Sequence, residues 1–437
     1  MKSASIVSFG CKANQYDSQA MGEALTDAGY RMVHPPERAD LYIVNTCSVT
    51  GQSDAKARKA IRRIHRISPD STIFVTGCYA QNAGSALLEI EGVDKVFGNA
   101  EKFALTELVR EAERAQTLQR EYVGDPDARV DLGEFGLSVA SFDQKTRALL
   151  KIQDGCSQFC SFCIIPYTRG RMRSRPLHEI ADEARRLTEN GYAEIVVTGV
   201  HLGAYGKDIR PRRSVAEVLR ALHELPRLKR LRLSSIEPMD VPPELIRTMA
   251  ELPKCARHLH LPLQSGSTPV LKRMRRRYTA DQFLSLVESA REAMPDIGLS
   301  TDVMVGFPGE TDADFEATMR VVERCGFHRL HAFRYSPREG TPAAQFDDQI
   351  PPWTAGERSA ALRELGGKLT RRFQEASLGS SAEVLIEDVR EGADGSLAGY
   401  TGNYLRALTD AAPDDIGKLR RVRLCAIEGG RMRGALL

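Results

Sequence analysis

Short apolar segments alternate with helical ones along most of this chain, and that alternation restricts the fold more than any other feature. Residues 5–9, 41–44 and 72–75 read as strands, with a fourth at 94–99. Helical patterns lie between them, notably 17–28, stopped by Gly29, and 54–67, stopped before Pro69. Strand–helix–strand at this spacing gives parallel strands joined by right-handed crossovers. In such a sheet the carboxyl ends of the strands share one edge, and ligands sit outside that edge.

Three of these strands run into cysteine: Gly10-Cys11, Asn45-Thr46-Cys47 and Thr76-Gly77-Cys78. The fourth does not. Although 36 and 31 positions separate the three thiols, parallel topology would bring them together. Buried free thiols are the plain alternative. A cluster held on three cysteines with one iron left open explains why all three share the same topological place.

A second triplet lies within Cys156-Ser157-Gln158-Phe159-Cys160-Ser161-Phe162-Cys163, directly after the apolar run 148–153. Three thiolates cannot close a four-ligand zinc site, and an odd number cannot all pair as disulfides. They could hold three corners of an iron–sulfur cube and leave the fourth iron open for a ligand.

From residue 147 to about 374 the chain repeats strand and helix six times, with strands at 148–152, 194–198, 230–234, 258–263, 299–305 and 329–335. Pro176 suits a first helical turn, Thr279 with Gln282 makes a capping box, and Thr311 precedes a further apolar stripe that ends in Cys325. Six such units fit a partial (β/α) barrel, with chemistry at the carboxyl ends of its strands. Polar, glycine-rich stretches follow those ends, including Thr198-Gly199, Gln264-Ser265-Gly266 and the run from Asp302 through Gly306 to Glu310. Together they form a lining suited to a zwitterionic nucleoside. No GxGxxG follows a strand and no GxxxxGK[ST] occurs, so dinucleotide and P-loop readings fail. His201 and His260 read as polar lining, and Cys255 and Cys325 as structural thiols.

CxxxCxxC at Cys156, Cys160 and Cys163 resembles the radical S-adenosylmethionine (SAM) superfamily. Within it, Gly10-Cys11-Lys12-Ala13-Asn14-Gln15-Tyr16, Asn45-Thr46-Cys47-Ser48-Val49-Thr50, Thr76-Gly77-Cys78 and Cys163-Ile164-Ile165-Pro166-Tyr167-Thr168-Arg169-Gly170 resemble the methylthiotransferases, and the likeness covers nearly the whole chain. The resemblance implies two [4Fe-4S] clusters. One, on Cys156, Cys160 and Cys163, would bind SAM; the other, on Cys11, Cys47 and Cys78, would deliver the methylthio group. It further implies that Thr198 and Gly199 lie near the SAM amino group, and that Gln264, Asp302 and the turn beginning at Gly306 approach SAM or substrate. Asp302, Arg169 and Arg171 are candidate contacts to a polar substrate group. The wording of the motifs is closest to the branch that acts on N6-threonylcarbamoyladenosine at position 37 of tRNA. Sister branches act on N6-isopentenyladenosine or on a ribosomal protein. A non-catalytic iron–sulfur protein that binds RNA is the reading from another class.

Residues 382–386, 397–400, 405–408, 418–426 and 432–436 read as the strands of a small β-barrel, and their position resembles the TRAM domain of the same family. The expected α/β organisation is therefore an amino-terminal parallel domain (1–113), a linker (114–141), a partial (β/α)6 radical SAM barrel (142–374) and a TRAM-like β-barrel (377–437). Net charge is only +3, yet cations cluster at 58–66, 169–175, 272–277 and 418–433, which favours a polyanionic partner. No apolar stretch approaches the roughly 20 residues a membrane span needs. The nine cysteines read as ligands or buried thiols of a reducing compartment. A cytoplasmic enzyme is expected, with the tRNA anticodon loop and a low-potential donor such as flavodoxin or ferredoxin as partners.

Overall fold

A computed structural model describes residues 1–114, 119–127, 138–142 and 145–437. Parts of the expected linker, 115–118 and 128–137, lie outside the described residues. The chain forms two compact units. One is Met1–Ser141 with Gln153–Arg175 and Ser336–Ala344; the other is Phe142–Ile152, Pro176–Tyr335 and Gln345–Leu437.

The first unit is built on a six-stranded sheet in the order Arg31–Met32, Ser3–Ser8, Leu41–Thr46, Thr72–Gly77, Lys95–Phe97, Glu121–Tyr122, every pairing parallel. Neighbouring residues of its central strands serve opposite cores. Val44 and Val75 pack with Ala57, Ile61 and Ile64 of the Gly51–Ile67 helix, while Ile43 and Phe74 pack with Met21 and Leu25 of the Lys12–Asp27 helix. Burial on both faces is why these strands read as unbroken apolar runs. The first helix begins at Lys12, five residues before the expected start, because Cys11 is extended and already occupies the N-cap position. The edge strands Arg31–Met32 and Glu121–Tyr122 are two residues each, too short to show a period in sequence.

Six strands organise the second unit: Ala148–Asp154 (through its residues 148–152), Glu194–Gly199, Arg230–Leu233, His258–His260, Gly298–Val305 and Arg329–Arg334, the second pairing parallel with the third and the fifth parallel with the fourth and sixth. Bridges Leu231↔Cys255 and Ser235↔His260 join the two halves into the expected partial barrel. Capping boxes start the helices after Ser214, Thr279 and Thr311. The fourth strand is shorter than expected: beyond it Leu261 N still donates to Ser300 O, but Leu263 N bonds the Thr301 side chain in place of the ladder, and Gln264 then bridges Val303. Cys255 and Cys325 are buried.

The carboxyl-terminal strands close into a five-stranded barrel in the order Ser381–Glu391, Ser396–Thr401, Arg406–Thr409, Arg431–Leu436, Leu419–Glu428. Val384, Ile386, Leu397, Ala407, Val422, Leu424 and Met432 fill it. Closure removes the free sheet edges that a small domain would otherwise expose.

Candidate active site

The carboxyl edge of the first unit's sheet is fixed by a chain of polar groups. Asn14 Nδ2 donates to Phe9 O (2.9 Å) and Thr46 O (2.8 Å). Asn45 Nδ2 donates to Asn14 O and Ser18 Oγ (both 2.9 Å). Thr46 Oγ1 donates to Thr76 O (2.6 Å), and Thr76 Oγ1 to Gly98 O (3.1 Å). These bonds lock the turns that carry Cys11, Cys47 and Cys78 against one another. Gly10, at φ +95°, lies so close that an added Cβ would stand 2.6 Å from Cys47 Sγ. Gly77, at φ +98°, passes Thr46 O at a distance where a Cβ would stand 2.2 Å away. Only glycine tolerates both the dihedral and the contact.

Cys11, Cys47 and Cys78 lie along this one edge, near enough that Cys78 and Cys11 act electrostatically on Cys47. Burial, aided by Cys78 and Cys11 and opposed by the Val49 backbone bond and Arg169, pushes the Cys47 thiol up to about 11. Cys78 is buried and Cys11 is exposed. The Lys95–Phe97 strand, which lacks a cysteine, is followed by Asn99, whose Nδ2 donates to Thr168 O (2.7 Å) and stands 3.9 Å from Cys78 Sγ.

The second triplet lies on a tight loop of the same unit. Cys156 N donates to Gly170 O (2.9 Å), and Cys163 N to Cys160 O (3.0 Å). Gly155 and Gly170 both have φ +69°, and a Cβ on Gly155 would stand 2.0 Å from Arg171 O. Phe159 holds a left-handed φ of +50° within the loop and meets Tyr167 edge-on, ring centroids 5.7 Å apart.

Arg169, a candidate substrate contact by sequence, lies instead in the interior of this unit with 2% of its side chain exposed. Its Nη1 donates to both Asp154 oxygens (2.8 and 3.0 Å), and its Nη2 to Asn14 Oδ1 (2.7 Å) and Asp17 Oδ2 (3.0 Å). Its Nε donates to Cys78 Sγ at 3.4 Å. Burial alone would weaken the guanidinium's charge. Asp154, Cys78, Asp17 and Cys11 outweigh that and hold its pKa well above the ordinary value. Lys102, also enclosed, bonds Asp17 Oδ2 at 3.0 Å, and burial lowers its pKa. Neither Lys102 nor Asp17 carries a sequence signal for this role.

In the second unit the candidate SAM residues lie within or after the barrel strands, Asp302 inside Gly298–Val305 and Gln264 beyond His258–His260. Thr198 and Gly199 end the Glu194–Gly199 strand. Gln264, at φ +60°, donates its backbone N–H to Asp302 O (2.9 Å) and accepts from Met304 N (2.8 Å). The Asp302 carboxylate faces His260 Nε2 at 3.2 Å, and His260 Nδ1 lies 2.9 Å from Ser300 Oγ. An acceptor-only carboxylate requires N–H at Nε2, so Asp302 fixes which ring nitrogen of His260 donates. Gly306 has φ +70°, and its N–H donates to Glu310 Oε2 (2.7 Å). His201 pairs with Asp240 at 2.6 Å. Both histidines therefore have carboxylate partners.

Among the described residues no group of three or more His, Cys, Asp or Glu side chains is gathered to hold a single metal ion. The two donor sets are all thiol, three apiece, and soft thiolates select iron–sulfur clusters among other centres. A cube takes its thiolates on separate irons, so its sulfurs need not close on one point. The residues present fit that group.

The basic clusters divide on inspection. Lys59, Arg62, Arg63 and Arg66 are exposed on one helix, and Arg421 and Arg423 on a barrel strand. Arg175, Arg276 and Arg169 are buried instead, with Arg276 paired to Glu237. Burial removes them from any nucleic-acid face.

Comparison with known proteins agrees with this geometry. The Radical SAM superfamily model matches residues 150–322, and the model of Uncharacterized protein family UPF0004 matches residues 3–98. The radical S-adenosylmethionine methyltransferase TsrM from Kitasatospora setae, solved with cobalamin and a [4Fe-4S] cluster, is similar with a TM-score of 0.57 and 17% identity, over 79% of this chain and 74% of that one. The likeness shows a shared fold. Fold and thiol loop thus define the class, a radical SAM barrel. Threonylcarbamoyladenosine tRNA methylthiotransferase MtaB of Bacillus subtilis is 38% identical over 419 residues, 95% of this chain and 92% of that protein. The tRNA-2-methylthio-N(6)-dimethylallyladenosine synthase of Acetivibrio thermocellus is 35% identical over 437 residues, 98% of this chain and 90% of that protein. The chain belongs to the radical SAM methylthiotransferase family. It is an enzyme whose family uses SAM and a [4Fe-4S] cluster, which sets aside the non-catalytic reading. No helix among the described residues is long and apolar enough to cross a membrane.

Proposed function

We propose that this enzyme exchanges the hydrogen on C2 of N6-threonylcarbamoyladenosine at position 37 of tRNA for a methylthio group. The observation that carries the reading is the 38% identity over 95% of the chain to a methylthiotransferase named for that nucleoside. The named dimethylallyladenosine synthase, at 35% over 98% of the chain, supports a second reading in which the target is the N6-dimethylallyl nucleoside.

In this proposal Cys156, Cys160 and Cys163 hold one [4Fe-4S] cluster and Cys11, Cys47 and Cys78 a second. When bound, these groups supply reductive cleavage of SAM and a carrier for the sulfur, chemistry that belongs to the cofactors. The chain's own work is positioning. Gly10 and Gly77 let the thiol-bearing turns approach one another, and the Asn14–Asn45 bonds keep those turns in place. Thr198, Gly199, Gln264, Asp302 and Gly306 would line the SAM and substrate space, with His260 holding the Asp302 carboxylate. Residues 1–113 carry the second cluster, 142–374 the SAM chemistry and 377–437 an RNA grip, for which the exposed Arg421 and Arg423 are suited. A loop base can be splayed out and read on its edges at modest cost. Electrons would come from a flavodoxin- or ferredoxin-like donor in the cytoplasm.

Nucleoside mass spectrometry of total tRNA from a strain lacking the gene tests the reading. The methylthio derivative of threonylcarbamoyladenosine should vanish while that of the dimethylallyl nucleoside persists. The reverse pattern would establish the second reading, and loss of neither would refute both.

A further inference from the structure

The Arg169 guanidinium is saturated. It has five N–H donors, and five acceptor atoms meet them: Cys78 Sγ, Asp154 Oδ1 and Oδ2, Asn14 Oδ1 and Asp17 Oδ2. These partners come from distant parts of one unit. Asp154 lies two residues before Cys156, and Arg169 lies six after Cys163, so their pair closes the base of the loop that carries the second thiol triplet. Asn14 and Asp17 belong to the helix that begins beside Cys11. Cys78 opens the short helix after the fourth strand in sheet order.

We infer that Arg169 positions the loop of Cys156, Cys160 and Cys163 against the turns of Cys11 and Cys78, and sets the reduction potential of the cluster on Cys78 through its N–H···S bond. The inference rests on the proposal that Cys11, Cys47 and Cys78 hold a cluster.

Charge bookkeeping supports it. Arg169 pairs with Asp17 and Asp154, and Lys102 with Asp17, all within the enclosed nest. Ligation by thiolates would add negative charge there, and Arg169 is a cation bonded directly to Cys78 Sγ. Hydrogen bonds to cluster sulfurs and nearby charge are what set iron–sulfur potentials. A second tie acts on the same point, since Asn99 Nδ2 reaches Thr168 O beside Arg169 and approaches Cys78 Sγ. Lysine at 169 would keep the charge but not the planar fork, so it could not serve all five acceptors.

The test uses the full chain with Cys156, Cys160 and Cys163 changed to alanine, so that only the amino-terminal cluster can form after anaerobic reconstitution. Arg169→Gln and Arg169→Lys are compared in that background by iron content, circular dichroism and redox titration followed by electron paramagnetic resonance. The midpoint should move to more negative potential in Arg169→Gln and by a smaller amount in Arg169→Lys. Variants that keep native circular dichroism but bind no iron would support the positioning role. An unchanged midpoint at full iron in either variant would overturn the inference while leaving the two-cluster proposal standing. A background chain with Arg169 intact that binds no iron would overturn both.

Discussion

Glu194 Oε1 accepts from Arg232 Nε at 2.7 Å where both side chains are closed to solvent, and its Oε2 faces Arg230 Nη1 at 3.2 Å. The two arginines then donate onward to carbonyls of the carboxyl-terminal barrel, at Glu383, Tyr400, Thr401 and Gly402. One buried carboxylate thus holds the charge of the pair that seats that domain.

Glu194→Ala should destabilise the protein by about 3–5 kcal/mol, because it leaves buried guanidinium charge uncompensated. Burial opposes ionisation of Glu194, but Arg232, Arg230 and Arg147 overcome it and hold its pKa near 2 rather than 4.5. A depressed carboxylate pKa gives stability that is present above 4.5 and lost as pH falls toward 2, roughly 3 kcal/mol across the window. Denaturant unfolding between pH 2 and 5 should show this slope in the native chain and a flatter one in Glu194→Gln.

His328 is buried, donates from Nδ1 to Leu299 O at 2.9 Å, and has its pKa lowered by that burial to about 4. The unfolded chain takes up this proton near 6.5, the folded chain only near 4. Stability is therefore complete above 6.5 and falls as pH drops toward 4, by about 3 kcal/mol. His328→Gln should flatten urea midpoints measured between pH 4 and 7; an unchanged slope would mean the imidazole is charged in the fold.

Cys47→Ala should lower iron per chain by about half, the expectation for two independent three-thiolate sets. Cys325→Ala, at a thiol fully enclosed in the second unit, should leave iron unchanged. Equal iron in both variants would remove the amino-terminal triad as a ligand set.

Gly10→Ala should mimic Cys47→Ala. Its Cβ would drive into Cys47, in addition to a cost of about 1–2 kcal/mol for a left-handed φ. Gly29→Ala separates the two effects, since Gly29 shares a φ of +90° but has nothing within 4 Å. Iron analysis should show loss in the first variant and retention in the second.

Arg421→Ala with Arg423→Ala should weaken tRNA binding across sequences. The slope of log affinity against log salt should fall by roughly one per arginine removed. Filter binding at several salt concentrations measures it; an unaltered slope would place the RNA elsewhere.

The sequence by itself determined the strand–helix alternation, both thiol sets, the Thr279 capping box and the five short carboxyl-terminal strands, because each is written in neighbouring residues or in a fixed period. Even the shared edge of Cys11, Cys47 and Cys78 followed from one topological rule, that parallel strands end on a common side of the sheet. The tertiary structure alone decided what each charge does. In sequence Arg169, Arg171, Arg173 and Arg175 are four alike members of a basic run, yet Arg169 and Arg175 are buried while Arg171 is exposed. Lys102 and Asp17, 85 positions apart, likewise become partners only in the fold. Burial depends on which distant segments arrive around a side chain, and a charge deprived of water must find its counter-charge among them. No local pattern encodes that arrival.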